Sequence, residues 1–249
     1  MRNYILADIK RICHKKSFLA TAGVYMGLFL IMIFIYFNPS FTTAAYVAKT
    51  TTFLSFFPLF VGLLVFLSVY YDDFKSQSMQ IAIGYGMSRY KVILSKVMES
   101  ILLLFVTAFC IGIIMLIIPA ILGMALSGAQ VVELIASIIM EALRAIGYIC
   151  ISAIPIFYTQ NAVNGTILFV LLSSKTVMIL LTMILGQDIL VNLAGDLTQY
   201  LYTSMLYSTR NMLVQTGTVS IMLFGALALY IVLPVILSVW CFRKKELEF

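Results

Sequence analysis

The sequence predicts an all-α integral membrane protein with six transmembrane helices, and its composition is the first reason. Of its 249 residues, 63% are hydrophobic and 10% are charged, whereas a soluble domain has about 25% charged residues. The mean hydropathy of +1.08 is too high for all apolar side chains to be buried in one soluble core, so lipid must surround much of the chain. The lengths of the apolar runs and the distribution of basic residues are the other two reasons.

Six apolar runs are long enough to cross the hydrocarbon core of a bilayer, which needs about 20 helical residues. With their connections they fill the chain, so we expect one membrane domain over residues 1–249. The first run follows basic residues, as in a signal peptide, but it exceeds the usual limit of about 15 residues and is expected to be a retained span. The expected spans are Phe18–Phe37, Phe53–Tyr70, Ile101–Leu122, Ser137–Phe157, Val163–Leu185 and Thr218–Trp240.

Basic residues cluster in segments that share one side of the membrane if the N terminus is inside. Cytoplasmic segments of membrane proteins carry excess lysine and arginine, so this pattern predicts that both termini are cytoplasmic. The same effect accounts for the net charge of +6, which is therefore poor evidence for nucleic-acid binding. Only Lys49 and Arg210 fall outside, while Arg144 and Lys175 fall within apolar runs. The inside residues are Arg2, Lys10, Arg11, Lys15, Lys16, Lys75, Arg89, Lys91, Lys96, Arg243, Lys244 and Lys245.

Two segments outside the spans have the periodicity of surface helices. Residues 1–17 place isoleucines on one face, which predicts an interfacial helix along the inner membrane surface; a basic tail that only sets the topology is the alternative. Residues 187–213 repeat apolar side chains at spacings of three and four, which predicts an outer amphipathic helix between the fifth and sixth spans. Tyr200, Tyr202 and Tyr207 in this helix suit the lipid headgroup region.

The connection after the second span, residues 71–99, is the longest segment predicted in the cytoplasm. It starts with two aspartates, continues with an apolar patch, and breaks at two glycines before a helix that Ser88 is expected to cap. This order predicts a helix, a turn and a helix at the membrane face, whereas a plain polar loop is the alternative. The residues that define the order are Asp72, Asp73, Gly86, Ser88 and Arg89.

In this layout the chain resembles the permeases of type-2 ATP-binding-cassette (ABC) exporters, particularly the bacterial group for antimicrobial-peptide and lantibiotic export or immunity. Those permeases have an amphipathic N-terminal helix, six spans, an outer helical segment between the last two spans, and a short basic tail, similar to Arg243–Lys245 here. The loop after their second span carries an acidic residue, usually glutamate, and then a glycine followed by Ser-Arg. In that family the loop forms the coupling helix that docks on the ATPase. The resemblance therefore assigns ATPase coupling to Asp72, Asp73, Gly86, Ser88 and Arg89.

The resemblance implies a transport subunit of the bacterial plasma membrane and not an enzyme. Two separate ABC ATPase subunits would carry ATP and magnesium, and a second permease copy or a paralogue would complete the transport path. The chain itself has no GxxxxGK[ST] phosphate loop and only one histidine, His14, so no cofactor, metal site or catalytic residue is expected on it. A peptide is the expected substrate. The alternatives are a drug or lipid exporter permease and a non-transporting membrane sensor or assembly partner.

The fourth span carries charged residues on one face. At about 100° per residue, one stripe holds Glu133, Ser137, Glu141, Arg144, Tyr148 and Ser152. The i,i+3 spacing of Glu141 and Arg144 allows an ion pair. Because charge within a membrane is costly, the stripe is expected to face the translocation path or a subunit interface. The alternative is a pair near the outer end of the span that reaches water.

Lys175 lies near the middle of the fifth predicted span. A lone ammonium group facing lipid at that depth costs about 2.5 kcal/mol or more, so Lys175 is expected to face protein, water or an acidic partner, with Glu141 nearest in depth. A broken or shallower span, which would leave Lys175 at the outer surface, is the alternative. The candidate path or interface residues are therefore Glu141, Arg144, Tyr148 and Lys175.

Overall fold

The chain folds into helices throughout residues 2–244, the part that a computed structural model describes. Lys245, in the predicted basic tail, lies outside the described residues. A short 3-10 helix, Leu197–Tyr200, lies between α9 and α10. The helices are α1 (Arg2–Cys13), α2 (Lys16–Tyr36), α3 (Thr43–Lys75), α4 (Ser78–Gly84), α5 (Arg89–Ile121), α6 (Gly128–Thr159), α7 (Ala162–Ser173), α8 (Lys175–Leu185), α9 (Asp188–Ala194), α10 (Tyr202–Thr216) and α11 (Ile221–Arg243).

The prediction of an all-helical chain with several helices long and apolar enough to cross a membrane is confirmed in residues 2–244. Five of the helices in residues 2–244 are long and apolar enough to cross a membrane, namely α2, α3, α5, α6 and α11. Helices α7 and α8 meet at 66° and add a sixth crossing if the bent pair counts as one span. Several of these helices are longer than the predicted spans. Helix α3, for example, begins at Thr43, where the Thr42 side chain caps it by accepting a hydrogen bond from the Ala45 N–H at 3.2 Å.

The helices are connected at two ends of the bundle. At the first, named the N-terminal end, α1 and α4 lie beside the adjoining ends of α3, α6 and α11, where the rings of Phe74, Phe157 and Phe242 meet with centroids 5.1–6.0 Å apart. The other, named the far end, holds the connections from α2 to α3 and from α5 to α6 together with α9 and α10. The two ends carry the two sites described below.

Helix α6 lies at the centre of the bundle. In the most apolar stretch of α6, 78% of the residues are buried inside the protein, whereas the corresponding fraction in the other four long helices is 17–50%. Two glycines allow neighbouring helices to approach α6 closely. A Cβ on Gly165 of α7 would lie 2.6 Å from the Ser152 carbonyl oxygen of α6, and a Cβ on Gly147 of α6 would lie 2.6 Å from Cζ of Tyr202 in α10. Protein buries the face of α6 opposite the polar stripe as well, including Ile146.

The predicted outer helix over residues 187–213 is divided in the structure into α9, the short 3-10 helix and α10. The chain breaks at Gly195, whose φ of +76° favours glycine. Asp196 then caps the 3-10 helix by accepting a hydrogen bond from the Thr198 N–H at 2.9 Å. A leucine repeat persists across this break, so periodicity alone could not reveal it.

The helix, turn and helix predicted after the second span are present as α4, a turn at Gly86 with φ +88°, and α5. Ser88 occupies the position before α5 in extended conformation, but its side chain makes no capping hydrogen bond. The predicted Ser88 cap is therefore wrong in its chemistry, since the hydroxyl oxygen is buried and has no hydrogen-bond partner among the described residues. Helix α5 runs without interruption from Arg89 to Ile121.

Candidate functional site

The N-terminal end holds a group of charged side chains that we name the charge cluster: Asp8, Arg11, Asp73, Lys96 and Glu99. Lys96 is fully buried and forms ion pairs with Asp8, Asp73 and Glu99, the last with Nζ and Oε2 2.9 Å apart. Arg11 donates to Asp73 Oδ1 at 2.7 Å and to Asp8 Oδ1 at 2.6 Å. Because these residues come from α1, α3 and α5, the cluster fastens the N-terminal helix to two of the long helices.

The electrostatics of α1 match this arrangement. Burial disfavours a charged Asp8, but the Lys96 ammonium and the Arg11 guanidinium outweigh burial and hold the Asp8 pKa below its usual range. Burial raises the pKa of the neighbouring Tyr4 to about 12, so its hydroxyl stays neutral beside Lys96 at physiological pH. The carboxylate of Asp8 is therefore kept ionised, as its ion pairs require.

The five residues assigned to ATPase coupling do not converge on one exposed surface. Asp72 pairs with Lys15 at 2.5 Å, with Nζ donating to Oδ2, and Asp73 is buried in the charge cluster. Arg89 donates from Nη1 to the Phe242 carbonyl oxygen of α11 at 2.9 Å. These contacts tie the loop to the rest of the chain.

The exposed side of α4 and of the turn that follows it is apolar. In α4, Met79 is buried while Ile81 is 56% exposed, and Tyr85 in the following turn is 89% exposed. A small cavity beneath α4 is lined partly by Met79 and Ile83. This part of the loop thus has a packed underside and an apolar outer surface. We name the segment Ile81–Tyr85, which carries the outer surface, the α4 tip.

Between the middle of α6 and the far end, a second group of polar side chains surrounds the predicted ion pair. Arg144 Nη2 lies 2.7 Å from Glu141 Oε2, and both side chains are buried. Arg144 also donates from Nη1 to the Tyr207 hydroxyl at 2.8 Å, and that hydroxyl donates to Glu141 Oε1 at 3.1 Å. Burial, and then the charge of Glu141, raise the pKa of Tyr207 to about 12, so the phenol keeps the proton that it donates.

An interruption in α3 supplies another partner for Arg144. Pro58 has no N–H, and α3 changes to wider π-helical hydrogen bonding over Pro58–Gly62. The Ser55 carbonyl oxygen, just before this segment, accepts a hydrogen bond from Arg144 Nη2 at 2.6 Å. The α6 ion pair is therefore held by α3 as well as by α10, and it does not reach out independently to water.

The tyrosines expected in the headgroup region pack inside the protein, with one exception. Tyr202 is buried and donates to the Leu143 carbonyl oxygen at 2.5 Å, and Tyr207 bridges the ion pair described above. Tyr148 of α6 shares a hydrogen bond of 2.8 Å with the Thr203 hydroxyl. Only Tyr200 is exposed. Helix α10 thus covers the polar face of α6, which is why the expectation for Tyr202 and Tyr207 is wrong.

Lys175 is exposed and is the first residue of α8, at the bend of the fifth span. Its Nζ lies 3.8 Å from the ring centroid of Phe56, and no ion pair joins it to Glu141, the partner suggested by depth. The 66° bend between α7 and α8, just before Lys175, is consistent with the alternative of a broken span.

These groups line a pocket of about 410 Å³ between α3, α6, α7, α8 and α10, which we name the polar pocket. Of the four predicted path or interface residues, Arg144, Tyr148 and Lys175 line it, and Glu141 lies behind Arg144 as its ion-pair partner. Arg210 also lines the pocket, although its position outside the spans gave no reason to include it. Further pocket residues are Thr51, Thr52, Ser55, Ser173, Ser174, Thr203 and Tyr207.

Sequence reasoning also did not identify the charge cluster as a site, and this cluster is a larger feature than the omitted Arg210. The sequence predicts that Lys96 and Glu99 lie in a cytoplasmic helix, yet both are fully buried. A local signal existed, because their i,i+3 spacing opens directly into the apolar part of α5. Asp8 and Asp73 are distant in sequence from this pair, so local spacing does not reveal their contacts with it.

The chain has the composition and the helix lengths of a multi-pass membrane protein. Its described residues form a charge cluster at one end of the bundle and a polar pocket toward the other. No protein-family model, no curated protein sequence and no solved structure matches the chain.

Proposed function

We propose that this chain is the membrane-spanning permease subunit of an ATP-driven ABC exporter in a bacterial plasma membrane. Both termini would face the cytoplasm, and two ATPase subunits carrying ATP and magnesium would dock on the N-terminal end. A second permease, identical or paralogous, would complete the path. The chain would contribute conformational change and no bond chemistry.

The α4 tip is the observation that carries this proposal. Ile81 and Tyr85 are 56% and 89% exposed on a loop whose underside is packed. Interface cores are enriched in aromatic and apolar residues, so an ordered loop with an apolar outer surface suits contact with another protein. The basic residues of the N-terminal end favour a cytoplasmic location for this surface, where an ATPase would meet it.

The connections at the base of the loop supply a mechanical reason for the proposal. Asp73 joins the end of α3 to α1, and Asp72 joins it to Lys15 in the connection from α1 to α2. Arg89 joins the start of α5 to α11. Movement of the α4 tip by a partner would therefore be passed to four other helices. We accordingly propose that Asp72, Asp73 and Arg89 transmit movement within the chain, while the α4 tip makes the docking contact.

The polar pocket supports the transport part of the proposal. It places Arg144, Tyr148 and Lys175 together where the fifth span bends, and broken helices at polar sites are a recurring feature of transporters. Pairing and packing of Glu141 with Arg144 offset the cost of charge at this depth. A peptide is the proposed cargo because of the resemblance to peptide exporters, with a drug or a lipid as the alternative.

Site-specific photocrosslinking tests the docking contact. A photoreactive amino acid at Tyr85 should crosslink in cells to a protein that contains a GxxxxGK[ST] phosphate loop, identified by mass spectrometry. The matched control places the same group at Ile189, which is 77% exposed at the far end and should not capture that protein. Absence of an ATPase from the Tyr85 products, or equal capture from both positions, would overturn the proposal.

A further inference from the structure

The polar pocket has an excess of positive charge. Three cationic side chains line it, namely Arg144, Lys175 and Arg210. Among the described residues, one ion pair joins this group to a carboxylate, that between Arg144 and Glu141 at 2.7 Å. Two positive charges therefore remain without a carboxylate partner in a pocket formed largely by membrane-spanning helices.

The other contacts of these cations are with neutral groups. Lys175 Nζ lies 3.8 Å from the centroid of the Phe56 ring. Arg210 donates from Nη2 to the Asn211 side-chain oxygen at 3.2 Å, and its Cζ lies 5.2 Å from the Tyr207 ring centroid. Neither Lys175 nor Arg210 forms an ion pair with a carboxylate of the described residues, so an anion is the complement that this pocket lacks.

Additional groups in the pocket wall favour an anion. Ser173 is 7% exposed, and its hydroxyl has no hydrogen-bond partner among the described residues. Helix α8 begins at Lys175 after Ser174, whose side chain makes no capping hydrogen bond. The first N–H groups of a helix lack internal partners and carry partial positive charge, which favours bound phosphate.

The other side of the pocket is apolar and accessible. Leu172, Met178 and Ile179 contribute to its wall, and Ile179 is 58% exposed. None of the α8 side chains described is buried. A ligand with an anionic group at the cations and a hydrocarbon chain along α8 would satisfy both sides of the pocket.

We propose that the polar pocket binds a phosphate group, carried by an anionic phospholipid whose acyl chains lie against α8. The cations contact the phosphate oxygens, and Ser173 provides a hydroxyl donor. The volume of about 410 Å³ is in the usual range for a small-molecule site. This inference is independent of the proposed export function, because its test needs neither an ATPase nor transport.

Binding to the purified full chain in neutral detergent tests the inference. The probes are a short-chain phosphatidylglycerol, inorganic phosphate, and an uncharged glycerol ester with the same acyl chains. We expect the phosphatidylglycerol to bind at least about tenfold more tightly than the uncharged ester, with an affinity that falls as salt is raised. Inorganic phosphate should compete, but more weakly than the lipid.

Two substitutions make the test specific to the pocket. Lys175→Met should weaken phosphatidylglycerol binding about tenfold. Lys49→Met is the matched control, because it removes a lysine of α3 that contacts the Tyr36 ring and does not line the pocket. Equal binding of the charged lipid and the uncharged ester, or equal losses in the two variants, would overturn the phosphate site. Binding of inorganic phosphate as tight as that of the lipid would retain the phosphate site and overturn the lipid as its source.

Discussion

Replacement of Lys96 by methionine should detach the N-terminal helix and strongly destabilise the protein. Lys96 is fully buried and its ammonium group forms ion pairs with Asp8, Asp73 and Glu99. Breaking a buried ion pair from one side costs about 3–5 kcal/mol, because the remaining charge is uncompensated in a poor dielectric. Arg11 still compensates two of the three carboxylates after the substitution, so we expect the loss of unfolding free energy to lie in this range.

The assay combines unfolding in mixed micelles with hydrogen exchange. Lys96→Met should lower the unfolding free energy and increase exchange in α1 before other helices open. Lys91→Met is the matched control, because Lys91 lies on the same helix, is exposed, and has its ammonium group 5.9 Å from the Tyr90 ring centroid. A surface change of this kind should alter stability by about 0.5 kcal/mol or less.

A double variant separates charge from packing. Glu99 pairs with Lys96, so Lys96→Met with Glu99→Gln should lose less stability than Lys96→Met alone, because one uncompensated charge is removed. The reasoning would be refuted if Lys96→Met matched the Lys91→Met control, or if the double variant were the less stable of the two.

Acid should loosen the same attachment. The Asp8 pKa is held below its usual value in the folded state, so its ionisation contributes stability above the unfolded-state pKa of about 3.9 and loses it as pH falls through the folded-state value. A spin label on the exposed Cys13 at the end of α1 should therefore become more mobile on acidification below that range. Asp8→Asn should give a mobile label at neutral pH, and a label with unchanged mobility would contradict the role of Asp8.

Three further predictions concern the polar pocket and the topology. Glu141→Gln and Arg144→Gln should each cost about 3–5 kcal/mol in unfolding assays and the double variant less than their sum, whereas additive losses would mean that the two charges act independently. Gly147→Val should cost about 1–3 kcal/mol, because its Cβ would lie 2.6 Å from a tyrosine ring atom of α10; an unchanged melting temperature would count against that close packing. In a background without the exposed native cysteines, a cysteine at Asn192 should react with an impermeant reagent added outside cells and one at Ser76 should not, since positive charge favours a cytoplasmic N-terminal end; the reverse labelling would invert the topology.

Composition and periodicity were sufficient for the class of fold. Long apolar runs predict helices in a membrane protein because a backbone in lipid must satisfy its own hydrogen bonds. Residues 2–244 contain five helices that are long and apolar enough to cross a membrane. The ion pair of Glu141 with Arg144 also followed from local spacing, since i and i+3 meet on every α-helix. Properties of a single helix were therefore accessible from sequence.

Contacts between distant segments were not accessible in this way. A lysine in a predicted cytoplasmic loop contributes equally to the positive-inside pattern whether it is solvated or buried. The spacing of Lys96 and Glu99 indicated a local pair, but it did not indicate Asp8 and Asp73 as further partners. The same limit applies to Tyr202 and Tyr207, whose amphipathic rings suit a headgroup region and a buried hydrogen bond equally well. Their covering of α6 depends on Gly147 and on the break at Gly195, which a leucine repeat does not reveal.

The most direct test of the proposed function is ATP hydrolysis in a reconstituted complex. The chain would be purified with a candidate ABC ATPase encoded beside it, placed in lipid vesicles, and assayed with and without antimicrobial peptide. Our account predicts that the two proteins copurify, that peptide stimulates hydrolysis, and that Ile81→Asp abolishes the stimulation while Ile189→Asp retains it. Failure of the ATPase to copurify, or stimulation that is unchanged by Ile81→Asp, would contradict the account.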